Sequence, residues 1–149
     1  MRKIYLIITV LVSLLLVSAT KIAPDFDFIT FNGNESKLSD YDQPIMLNFF
    51  AMWCPYCLSE LKTLNKIYPD YKDITFISIA VDKQGNPVKY IHDQKYPWIF
   101  GFSDRAVSLY DAETIPVTVF IHKDKTTEFR NVGELQRNEI ISKLNKIRE

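Results

Sequence analysis

The chain has 149 residues, of which 47% are hydrophobic, 13% aromatic and 24% charged. That balance can bury the core of a single domain, is too apolar for a disordered chain and is short for two domains. Basic and acidic residues cancel at 18 each, which argues against a strongly basic nucleic-acid binder, and two cysteines and four glycines exclude a disulfide-dense scaffold and leave no GxGxxG or GxxxxGKS/T phosphate loop.

Residues 1–21 stand apart. Arg2 and Lys3 are followed by Ile4 to Val17, apolar but for Thr9 and Ser13, and Lys21 closes the segment. A basic start, an apolar middle and a small-residue end are the layout of an export leader, with Val17-Ser18-Ala19 as a cleavage site before Thr20. The run is near the lower limit for spanning a bilayer. Residues 4–20 therefore read as a signal peptide or, on balance, as a retained inner-membrane anchor with its positive residues inside. The expected location is exported, periplasmic or otherwise extracytoplasmic, where two thiols can be disulfide-bonded.

Residues 22–149 read as one domain without repeats or linkers. Phe26, Phe28 and Phe31 predict a short strand, Asn32-Gly33 a turn, and a second short strand or loop runs to Leu38. The nearly continuous apolar run Ile45 to Ala51 is the pattern of a strand buried on both faces. Leu58, Leu61, Leu64 and Ile67 predict a helix that stops before Pro69. Ile74 to Val81 is a second central strand. Asn86 to Gln94 is a helix, capped by Asn86 with Pro87 in its first turn. Trp98 to Phe102 reads as a short extended piece and Ala106 to Tyr110 as one or two helical turns. Val117 to His122 and Thr127 to Val132 form a hairpin, and Ile140, Ile141, Leu144 and Ile147 mark a C-terminal amphipathic helix. Strands alternating with helices predict an α/β sandwich around a mixed β-sheet flanked by helices.

Cys54 and Cys57, separated by Pro55 and Tyr56, fall where the buried strand ends and the helix begins. The unpaired N–H groups and partial positive charge of a first helical turn stabilise a thiolate, so the Cys54 thiol is expected below the pKa of free cysteine. Pro55 sets the backbone for the helix start. Cys57, one turn deeper, can reach the Cys54 sulfur and close a disulfide reversibly. Three plainer readings compete: a structural disulfide, whose small loop constrains the unfolded chain little; a zinc site, which lacks further cysteines and has only the separated His92 and His122; and a pair of inert buried thiols.

The segment Asn48 to Cys57, NFFAMWCPYC, resembles the active-site stretch of the thioredoxin superfamily, and most of all the exported, membrane-tethered TlpA/ResA/DsbE-like thiol-disulfide oxidoreductases. Glu60 matches their glutamate three residues after the second cysteine. Thr114 to Ile121, TIPVTVFI, resembles the superfamily's cis-proline strand, and Gly133 fits the glycine after its hairpin. The likeness spans about residues 24–149. It implies a thioredoxin-like fold, catalytic Cys54 and Cys57, and a cis Ile115–Pro116 bond beside the pair, where the Ile115 backbone can bind an extended client segment. Trp53, Pro55 and Tyr56 are expected to contact the client. Glu60 and Asp82 are auxiliary candidates: Glu60 orienting the helix start, Asp82 as a base for Cys57. The chain departs from the pattern at Asn48, where cytosolic thioredoxins carry an aspartate, at Phe50 in place of the usual tryptophan, and at Lys62 in place of a helix-kinking proline. Its Pro-Tyr dipeptide is that of glutaredoxins and leaves the direction of electron flow open.

The expected function is an exported enzyme that reduces disulfides of envelope proteins. By resemblance, its clients include apocytochrome c before haem attachment, and its electrons come from a membrane thiol-disulfide donor. No cofactor, metal or nucleic acid enters this reading. The alternatives are an oxidant or isomerase of the same fold, or a copper-binding module using the two thiols.

Overall fold

The computed structural model describes residues 21–149, and the leader read from the sequence lies outside them. Among the described residues no helix is long and apolar enough to cross a membrane. Seven strands form one mixed sheet: β1 (Asp27–Thr30), β2 (Glu35–Lys37), β3 (Ile45–Phe50), β4 (Thr75–Ala80), β5 (Ile99–Phe102), β6 (Val117–Ile121) and β7 (Thr127–Val132), in the order β2-β1-β5-β4-β3-β6-β7. The helices are α1 (Pro55–Ile67), α2 (Pro87–Gln94), α3 (Asp104–Leu109) and α4 (Arg137–Arg148).

β3 is the centre. It pairs parallel with β4 from Ile45↔Thr75 to Phe50↔Ala80 and antiparallel with β6 from Ile45↔Ile121 to Phe49↔Val117. All six of its residues are buried. Its side chains alternate between two cores: Met46 and Phe50 join Leu61, Leu64 and Ile67 of α1, Ile91 of α2 and Ile140, Leu144 and Ile147 of α4, whereas Ile45, Leu47 and Phe49 join Phe26, Phe28, Ala106 and Tyr110 on the opposite face. A strand covered on both faces has no position left for exposed polar residues, hence a sequence that is apolar apart from the buried Asn48.

Trp98 to Phe102, expected as a short extended piece, holds the interior strand β5. β5 pairs parallel with β4 and antiparallel with β1. Gly101 permits this, because a Cβ there would lie 2.6 Å from the Ile29 carbonyl oxygen and 2.7 Å from the Phe28 ring. Local caps fix the helices. The Asn86 side chain accepts from the Lys89 N–H at 3.2 Å, and Ser103 accepts from the Ala106 N–H at 3.1 Å while donating to the Asp27 carbonyl at 2.6 Å.

Candidate active site

The parallel pairing of β3 and β4 sends the chain out of the sheet at the C-terminal end of β3, and α1 starts four residues beyond Ala51. Cys54 is its N-cap, with extended backbone angles, and Pro55 occupies the first turn. Proline suits that position because its missing N–H would have no intrahelical acceptor. The Cys57 N–H donates to the Cys54 sulfur at 3.2 Å. The same donor would hold a thiolate at Cys54 once the pair is reduced, together with the positive end of the helix.

The two cysteines form a disulfide, with Cα atoms 5.3 Å apart. They are not equivalent. Cys54 is 5% exposed and Cys57 is fully buried, so an incoming sulfur can meet only Cys54. Trp53 and Tyr56 flank it with 56% and 65% of their surfaces open, and Pro55 is exposed between them. Ile115 is half-buried and packs against the core cluster that contains both cysteines. Its bond to the buried Pro116 is cis, and the Pro116 carbonyl accepts from the Gly133 N–H at 2.8 Å. The sequence-predicted residues of α1 and of the β6 entry thus border the same core region.

The two auxiliary candidates lie in different places. Asp82 follows β4 on the surface side. One of its carboxylate oxygens accepts from the Trp53 indole N–H at 2.7 Å and the other from the Gln84 N–H at 2.9 Å. Its loop presses on the segment before Cys54: Gly85 has φ +71°, and a Cβ there would lie 2.7 Å from the Met52 Cβ. Glu60 lies inside the protein. It is fully buried, one turn beyond Cys57 on α1. Its Oε1 accepts from Asn48 Nδ2 at 3.0 Å and from the Thr118 hydroxyl, and its Oε2 accepts from the Leu135 N–H at 2.9 Å. Burial pushes the Glu60 carboxyl above the ordinary carboxylate range, and the donors from Thr118, Leu135 and Asn48 offset part of that rise. Asn48 Oδ1 is buried with no hydrogen-bond partner among the described residues. A proton on Glu60 would give this oxygen a donor after rotation of the Asn48 amide.

Sequence reasoning did not find this network. Its signal was a single polar residue in each of two apolar strands, Asn48 in β3 and Thr118 in β6, which are partners in the antiparallel register. Among the described residues no group of three or more His, Cys, Asp or Glu side chains is placed to hold a metal ion.

The model of the AhpC/TSA family matches residues 19–130. The thiol-disulfide oxidoreductase ResA of Bacillus cereus is 27% identical over 133 residues, covering 85% of this chain and 77% of that protein. Among solved structures, a thioredoxin-family thiol:disulfide interchange protein of Chlorobium tepidum superposes with a TM-score of 0.79 at 20% identity, over 89% of this chain and 99% of that one. A secreted disulfide oxidoreductase of Mycobacterium tuberculosis superposes with a TM-score of 0.73 at 20% identity, over 81% and 95%. The fold is thioredoxin-like, with a mixed sheet between helices.

Proposed function

The chain belongs to the AhpC/TSA family, and from that premise we propose that it is a thiol-disulfide oxidoreductase whose Cys54–Cys57 pair exchanges bonds with client proteins, working as a reductase. One observation carries the reading: a disulfide at the opening turn of α1 of which only the outer residue, Cys54, keeps any exposure. The printed name of the ResA relatives, thiol-disulfide oxidoreductase, supports it.

In the reductive direction the Cys54 thiolate attacks one sulfur of a client disulfide. A mixed disulfide forms and the client's other sulfur leaves as a thiolate. Cys57, now a thiolate, attacks the Cys54 sulfur. The internal disulfide reforms and the client's second sulfur departs, so two electrons have passed to the client. A dithiol donor must restore the pair, and we assign that role to a membrane thiol-disulfide carrier serving an exported, anchored enzyme. Envelope proteins are the proposed clients, apocytochrome c before haem attachment among them. Trp53, Pro55 and Tyr56 supply contact surface on one side of the sulfur and the Ile115 backbone on the other. Asp82 acts through Trp53, holding the indole in place, rather than on Cys57.

Cys57→Ser removes the resolving sulfur. The variant should accumulate client-linked species on non-reducing gels, and their absence would end the assigned role of Cys57. Equilibration of the pair with glutathione gives its potential. A strongly oxidising value would reverse the direction and favour an oxidant or isomerase of the same fold.

A further inference from the structure

The chain between α3 and β6 carries Ile115, and β7 holds that chain at both ends. Upstream, Arg130 Nε and Nη2 donate to the Tyr110 carbonyl at 3.2 and 2.8 Å, and Nη2 also donates to the Asp111 carbonyl at 3.1 Å. Downstream, the Gly133 N–H donates to the Pro116 carbonyl at 2.8 Å, and Asn131 Nδ2 fixes the Gly133 carbonyl at 2.7 Å. Between these two holds the backbone groups of Glu113, Thr114 and Ile115 enter no hydrogen bond among the described residues. Asp111 has φ +47°, a left-handed angle that costs a residue with a side chain, and it turns the chain out of α3 toward the cis bond at Pro116.

Arg130 is not engaged elsewhere. It is half-buried and enters no ion pair among the described residues. Its register opposite Val119 puts it on the face of the sheet that carries α3. Nor does it close the end of α3, whose last turn is satisfied by its own backbone. The Tyr110 N–H donates to the Ala106 carbonyl at 3.0 Å, Asp111 to Ser108 at 3.3 Å and Ala112 to Val107 at 2.8 Å. The Tyr110 ring is buried and its hydroxyl donates to the Pro24 carbonyl at 2.8 Å, so α3 is docked without Arg130. The two carbonyls that Arg130 takes lie past these bonds, on the chain leaving the helix. A guanidinium suits them because it stays charged and its planar fork serves two acceptors at once.

We propose that Arg130 is a positioning residue for client binding. Its fork fixes where the chain leaves α3, and so places the unpaired Ile115 backbone to pair with an extended stretch of polypeptide whose disulfide then meets Cys54. The inference rests on the thiol-disulfide reading and deepens it. It makes Arg130 a determinant of substrate class, favouring disulfides carried by an extended polypeptide over small disulfides that have no peptide groups to pair.

The test compares insulin, a polypeptide disulfide, with hydroxyethyl disulfide, which has no peptide groups. The reduced full chain in neutral detergent is mixed with an excess of either, and the protein's tryptophan emission follows closure of the Cys54–Cys57 bond. In Arg130→Met the loss of rate on insulin should exceed the loss on hydroxyethyl disulfide on the order of tenfold, through a higher half-saturating insulin concentration more than a lower limiting rate. Arg130→Lys keeps the charge but offers one nitrogen in place of the fork, and should fall between wild type and Arg130→Met. It decides on the same ratio if Arg130→Met does not fold. A merely structural role would slow both disulfides alike. An insulin-to-hydroxyethyl ratio equal to that of wild type, or a loss on insulin confined to the limiting rate, overturns the inference and leaves the redox reading standing. A wild-type protein that reduces neither disulfide removes that reading, and the inference with it.

Discussion

Glu60→Gln tests the buried carboxyl most directly. In the folded protein burial raises its pKa above that of an unfolded glutamate. The sign follows from linkage: the folded state holds the proton more tightly, so stability attributable to Glu60 is full below the unfolded value of about 4.3 and is lost as pH rises through the folded value. Each unit of elevation corresponds to about 1.4 kcal/mol. Asp73, Asp93, Asp124 and Glu128 are shifted downward and gain stability with pH, but they are common to both proteins and cancel in a difference. Glutamine cannot ionise. Its Oε1 can keep the Leu135 N–H, and its amide can donate to Asn48 Oδ1 once that amide turns. The variant should therefore match wild type within about 1 kcal/mol at pH 4 and gain on it up to pH 8. Glu60→Ala gives the scale of the network. Thr118 can redirect its hydroxyl to Asn48, but the Leu135 N–H loses its acceptor and a void opens, for a loss of about 3–5 kcal/mol. Urea unfolding of the oxidised protein from pH 4 to 8 measures both, with the disulfide closed so that no thiol titrates. A Gln-minus-wild-type difference that stays flat with pH, or turns against the variant as pH rises, would refute the reasoning.

Asp82→Ala removes the acceptor of the Trp53 indole. It should shift tryptophan emission and raise the KM for a protein disulfide several-fold more than it lowers kcat, as read from steady-state reduction of that client. Gly101→Ala drives a Cβ into the Ile29 carbonyl and the Phe28 ring, backbone on one side and a buried ring on the other. Its urea midpoint should fall by the equivalent of about 3 kcal/mol. Gly85→Ala meets Met52 at 2.7 Å with φ +71° and should cost about 1–2 kcal/mol in the same assay.

Much of this protein is legible in its sequence where a residue's chemistry and its periodicity agree. The run IMLNFF read as a strand covered on both faces, and the WCPYC that follows it as a helix start, because proline suits the first turn and a sulfur suits the cap. Asn86 and Pro87 marked the start of α2 in the same way. What stayed hidden depends on residues far apart in the chain. β5 is interior only because Gly101 lets β1 approach, a contact between positions about seventy residues apart that leaves no local periodicity. The place of Asp82 after β4 made it a candidate base, whereas the hydrogen bond its carboxylate accepts from the Trp53 indole, 29 residues away in the chain, left no mark in the sequence. The Glu60 network required knowing that Asn48 and Thr118 face each other across antiparallel strands and that the loop before α4 returns over α1.

If the pair works as the proposed reductase, the partial shielding of Cys54 sets a rule for which crosslinks it would open. With the disulfide closed, Cys54 is 5% exposed, so a partner must bring its own sulfur down into the site. A bond held in a flexible, unravelled stretch can do so, whereas one locked inside a finished domain cannot. On the proposed reading, selection by foldedness would then need no sequence motif, since an unravelled chain could present its crosslink where a finished domain could not.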